Sequence, residues 1–162
     1  MLVIVAGMLL AIGLVLLGAR LAATPAAAPD LSRPGTAGEP RQVNVILRDY
    51  AFNPTPLHLI RGETVQFNLI NGGLVAHEFV LGGRSVQRAW AAAGAATPPA
   101  AFTTPPPASV PAGTGGLRVL LAPGELSVVR YQVPAGEALE LICHLPGHVA
   151  QGMIGRVLLA NR

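Results

Sequence analysis

The chain contains a single cysteine, Cys143, and no lysine; all of its positive charge comes from 11 arginines. One cysteine excludes an intrachain disulfide, so in an oxidising compartment this thiol is inert, intermolecular or a metal ligand. Charged residues make up only 12% of the chain and aromatic residues 4%. The net charge is +3, and residues 41–162 carry the same excess, from 9 Arg and 6 acids. These charges are scattered singly, with no basic run and no interleaved aromatics, which excludes nucleic-acid binding as a function class. No internal repeat is visible. At 162 residues there is room for one ordinary domain plus extensions.

The first 19 residues carry no charged side chain, and residues 2–19 form an apolar run at the lower edge of membrane-spanning length. The run exceeds the ~7–15 residues usual for the core of a signal peptide. That length favours a retained membrane anchor over a cleaved signal, for which Ala26-Ala27-Ala28 would be the small-residue cleavage site. We therefore divide the chain into a signal peptide or anchor over 1–21, a Pro/Ala-rich linker over 22–40 and a folded domain over 41–162. Arg20 and Arg33 follow the run and none precedes it, a bias that would keep the domain in the cytoplasm. The cysteine-containing site argues for the opposite side, and two arginines are a weak counterweight.

Within the domain the apolar pattern has period two. Val43, Val45 and Leu47 share one face; Val65, Phe67 and Leu69 share another, with Gln66 and Asn68 outward. Val75, His77, Phe79 and Leu81 alternate in the same way, as do Leu139, Leu141 and Cys143 around an outward Glu140. Turn signals stand between the runs at Asn53-Pro54, Arg61-Gly62-Glu63, Ala122-Pro123-Gly124 and Pro134-Ala135-Gly136. Short alternating strands punctuated by Gly and Pro predict an all-β sandwich. Tyr50 and Phe52 are expected as core aromatics, and the uneven pattern over 128–133 predicts a bulge. Residues 82–117 are expected to form a surface insertion, with a short helix over 86–93 capped by Ser85 and carrying Trp90. The proline-rich stretch after it cannot be sheet interior.

The densest chemistry lies in Cys143-His144-Leu145-Pro146-Gly147-His148-Val149-Ala150-Gln151-Gly152-Met153. A thiolate, an imidazole and a thioether sit on one short loop, and His77 offers a second imidazole from upstream. Two histidines and a cysteine with a weak axial methionine suit mononuclear copper in electron transfer. Each residue taken alone has a plainer reading: a buried inert thiol, a surface histidine, a gap-filling methionine. The spacing weighs against them, and a thioether is a poor zinc ligand. His144 should point to the face opposite Cys143 as a polar neighbour of the site. His58 reads as structural, and Gly152 as a residue permitting close backbone approach.

This pattern resembles the cupredoxins, the type 1 (blue) copper proteins, over about residues 43–159. The Cys-x4-His-x4-Met spacing is similar to that of rusticyanin and sulfocyanin. The resemblance implies a Greek-key β-sandwich, one type 1 copper ion, His77, Cys143 and His148 as equatorial ligands, and Met153 as the axial one. It further implies a protein outside the cytoplasm, tethered or secreted, that passes single electrons between partners such as a cytochrome or respiratory complex and is not itself an enzyme. A copper-handling protein, with the metal as cargo, is the alternative. No His-x-His and no second loop cysteine is present, which excludes trinuclear oxidase and binuclear purple sites. Ala76 stands where several family members carry a bracing Asn. By resemblance His148 approaches solvent within an apolar frame of Leu145, Pro146, Gly147, Val149 and Ala150, with residues 72–74 at the same end.

Overall fold

The computed structural model describes residues 30–96 and 108–161. The anchor or signal segment, the linker up to residue 29, the proline-rich part of the insertion and Arg162 lie outside the described residues. Among those described, no helix is long and apolar enough to cross a membrane.

Among the described residues, ten strands and one helix make a two-layer sandwich. The first layer has the order β2 (Ala51–Asn53), β1 (Arg41–Arg48), β4 (Thr64–Asn71), β7 (Leu126–Gln132). The second has the order β6 (Leu117–Leu121), β5 (His77–Gly82), β8 (Glu140–Ile142), β9 (Ile154–Gly155). A parallel pair, β3 (Leu57–Ile60) with β10 (Val157–Ala160), completes the set. β1 runs parallel to β4 from Arg41 opposite Val65 to Leu47 opposite Asn71, so the starts of both strands share one end of the sandwich.

The period-two faces meet between the layers. Val45, Leu47, Val65, Phe67 and Leu69 face Phe79, Leu81, Leu141 and Cys143, all at most 1% exposed. Phe67 and Phe79 touch across the layers with ring centroids 5.1 Å apart. Phe52 joins this core, while Tyr50 is only half-buried against it. Outward, Gln42, Asn44, Gln66 and Asn68 bond one another through side-chain amides across β1 and β4.

Three expectations are corrected. β7 pairs with β4 without interruption from Thr64–Gln132 to Ile70–Leu126 and alternates cleanly, so there is no bulge in it. The helix, α1, spans Arg84–Ala95, longer than the expected 86–93, and starts from Gly83 with no side-chain cap, so Ser85 is not its cap. Nor is its first half a mere surface insertion. β5 is buried on both faces, and Val80 on its outer face packs against Val86 and Trp90 of α1.

Order also begins before β1. Thr64 N–H donates to the Gly35 carbonyl at 2.9 Å, and Gly35 N–H donates to Glu63 Oε2 at 3.3 Å. Glu63 is fully buried and takes Arg41 in a two-pronged pair, at 2.6 and 2.8 Å, and the Ile60 N–H at 2.7 Å. Burial alone would push its carboxyl up. The Arg41 guanidinium and the N–H groups of Ile60 and Gly35 outweigh burial and hold it below the ordinary carboxylate range. Among the described residues no buried side-chain nitrogen or oxygen lacks a partner.

Candidate metal centre

β5 begins at His77, and β8 ends one residue before Cys143. These strands are antiparallel, with Val80 opposite Ile142, so the register carries Cys143 alongside the start of β5. The chain then turns from Cys143 to Met153 and returns as β9, paired with β8 at Ile142–Ile154. Cys143 N–H donates to the Met153 carbonyl at 3.2 Å. Residues directly opposite in an antiparallel pair project to the same face, and both side chains are fully buried.

Inside the turn, Leu145 O accepts from His148 N–H at 3.0 Å, and His148 O accepts from Met153 N–H at 3.0 Å. These bonds fold His148 back over the hairpin. Gly152 has φ of 91°, a left-handed conformation that side chains disfavour. Nothing lies within 4 Å of where its Cβ would be, so its role is the turn itself and not the close approach expected.

The structure brings His77, Cys143 and His148 together, with one donor atom from each lying within 4.8 Å of the others. His148 Nδ1 is 3.3 Å from Cys143 Sγ and 3.3 Å from His77 Nδ1. His77 and Cys143 are fully buried, and His148 is half-buried. Sγ also accepts the Glu78 N–H at 3.3 Å. Met153 is buried and joined through its backbone to both Cys143 and His148. The other two histidines are outside this cluster. His144 Nε2 meets Gln87 Oε1 of α1 at 2.8 Å, and His58 lies in β3, its carbonyl accepting from Arg41.

Burial pushes the Cys143 thiol up to about 12 and, with the His77 charge, pulls His148 down to about 4. His77 is lowered by burial, against the raising effect of Asp49; burial also lowers His144. Both candidate imidazoles are therefore neutral near pH 7, each with a lone pair to offer a cation. Such a buried thiol is a poor nucleophile, and it is a cation in the site that favours its thiolate.

Sequence reasoning missed the residues around this triad. Asp49, just past β1, places Oδ1 3.2 Å from His77 Nε2 and accepts the Leu74 N–H at 2.8 Å. Burial works against its charge, but the N–H groups of Leu74 and Val75 and the His77 ring hold its carboxyl below the usual range. Tyr50 follows with φ of 62°, a region that costs a non-glycine residue about 1–3 kcal/mol. The brace that Ala76 cannot supply comes from Asn71, whose Nδ2 donates to the Val75 and Leu121 carbonyls and whose Oδ1 accepts Gly73 N–H. Glu78, also buried, is paired with Arg118, whose guanidinium lies 4.3 Å over the Trp90 ring. None of these has a periodic signal; the available clue was an Asp between two runs that end at the same pole.

No protein-family model matches the chain. The copper-resistant cuproprotein CopI of Rubrivivax gelatinosus is 35% identical over 129 residues, 78% of this chain and 72% of that protein. The chain belongs to the CopI cuproprotein family. CopI of Pseudomonas aeruginosa is 28% identical over 88% of this chain and 90% of its own length. Among solved structures, auracyanin A, a blue copper protein of Chloroflexus aurantiacus, superposes with a TM-score of 0.56. Its identity is 26%, over 75% of this chain and 99% of that one. The CopI-family chain thus has the cupredoxin β-sandwich. Its donor chemistry fits copper: two imidazoles and a cysteine sulfur converge, and the buried thioether of Met153 lies across the hairpin from Cys143.

Proposed function

We propose that the protein carries single electrons outside the cytoplasm through one type 1 copper ion held by His77, Cys143, His148 and Met153. The convergence of one donor atom each from His77, Cys143 and His148 within 4.8 Å carries this reading. When bound, copper supplies a one-electron couple. The chain's part is to hold soft and borderline donors in one geometry, so that both oxidation states meet the same site. Cys143 and Met153 are fixed by a hairpin and His77 by a strand, while His148 is only half-buried. We read the chain as a carrier and not an enzyme.

Adding Cu(II) to the purified full chain should give one-to-one binding and an intense thiolate-to-copper visible band. Cys143→Ser should abolish the band while leaving the β fold. A colourless copper complex of the parent protein would overturn the reading.

The names of the CopI relatives favour a second reading, copper resistance with the metal as cargo. Retention separates the two: a carrier of electrons keeps its copper through repeated reduction and reoxidation, whereas a cargo protein surrenders it to a competing chelator in one of the two states.

A further inference from the structure

We propose that Asp49 is a positioning residue for the metal centre: its carboxylate fixes the His77 ring and its negative charge favours the oxidised metal. The inference rests on the copper reading above.

His77 has two ring nitrogens, and Nδ1 is the one facing His148. The other, Nε2, meets Asp49 Oδ1. A carboxylate at Nε2 retains the proton there, which leaves the Nδ1 lone pair free toward the metal position and stops the ring rotating. The carboxylate is itself held, because the same Oδ1 accepts Leu74 N–H.

The local backbone is shaped around this contact. Tyr50 adopts a left-handed conformation with no glycine to ease it, and its ring stands edge-on to His148 and His77 at centroid distances of 5.2 and 6.3 Å. At Gly73 a Cβ would lie 2.8 Å from His77 Nε2 and would collide with Asp49 Oδ1. A strained tyrosine on one side and an obligatory glycine on the other thus frame the Asp49–His77 pair.

Charge sets Asp49 apart from the two buried acids. Glu63 and Glu78 are each matched by an arginine, whereas the salt-bridge partner of Asp49 among the described residues is His77 itself. Cu(II) carries one more positive charge than Cu(I), so an anion one imidazole away stabilises the oxidised ion more.

Asp49→Asn keeps the shape and an acceptor oxygen but removes the charge. In the copper-loaded full chain it should shift the Cu(II)/Cu(I) equilibrium about tenfold toward Cu(I), a rise of about 59 mV for one electron, with the visible band retained. Asp49→Ala removes the acceptor too. In the Cu(I)-loaded protein it should alter the nitrogen NMR signature of the His77 Nε2–H, a readout independent of electron transfer. A parent-like potential in Asp49→Asn overturns the charge role; a parent-like His77 signature in Asp49→Ala overturns the positioning role. If Asp49→Ala does not fold, Asp49→Ser, whose hydroxyl is too short to reach His77 Nε2, takes its place in the same NMR measurement. A parent protein with no thiolate-to-copper band would sink the copper reading instead.

Discussion

Met153 lies directly across the hairpin from Cys143, its side chain fully buried on the same face. A thioether there would lend weak support to Cu(II), and the axial donor tunes the potential of such sites. Met153→Leu should therefore raise the potential and Met153→Gln, with an oxygen donor, should lower it. Voltammetry that finds both equal to the parent would remove Met153 from the ligand set. Glu63 supports a different kind of test. Its folded pKa is depressed below the ~4.3 of an unfolded glutamate. The stability it contributes is therefore present above that value and is lost as pH falls through the folded pKa. Glu63→Gln should cost about 3 kcal/mol at neutral pH, because it leaves the Arg41 guanidinium without its carboxylate. The gap between variant and parent in urea melts should narrow as pH falls below the ordinary carboxylate range and through the depressed folded pKa; a constant gap would contradict the linkage.

At the scale of elements, α1 ties the insertion to both ligand-bearing strands. Gln87 Nε2 lies within hydrogen-bonding reach of the Val80 and Gly82 carbonyls of β5 and the Glu140 carbonyl of β8, and its Oε1 faces His144 beside Cys143. Gly94 comes so close to the His144 carbonyl that a Cβ would collide with it. Gln87→Ala should thus cost about 2 kcal/mol, since buried polar atoms lose their partner, and chemical denaturation would register it. An unchanged midpoint would mean that α1 merely lies on the sheet. This docking was not legible in the sequence, because one buried glutamine in an Ala-rich stretch carries no pattern. The strands were legible wherever an apolar face met a polar one, as in β1 and β4. β7 misled because its outward Leu126 and Val128, 70% and 63% exposed, are apolar and blur the binary code. The His77, Cys143 and His148 cluster was readable because donor identity and loop spacing survive without coordinates. Asp49 was not, since its contact depends on a left-handed turn at Tyr50.

Over the whole molecule, the metal end presents Leu74, 81% exposed, and Val149, 43% exposed, around half-buried His148. Leu145, expected in this frame, is only 7% exposed and belongs to the core, so it offers a partner no surface. Asp49 lies at the same end with 37% of its side chain accessible, and the patch is not free of charge as the sequence implied. Val149→Glu or Leu74→Glu should slow electron transfer to a physiological partner while leaving the copper spectrum in place. Stopped-flow rates unchanged in both would show that electrons leave by another face.

The pairing of Gly35 with Thr64 has a consequence for how the molecule is presented. Gly35, Arg41 and Glu63 gather where β1 and β4 begin; Asp49, Gly73 and His77 gather where those strands end. A strand the length of β4 separates the poles by on the order of 25 Å. Whatever holds the chain upstream of Gly35 thus pulls on the pole remote from the metal. An anchor upstream of that point would leave the metal pole as the one presented away from it.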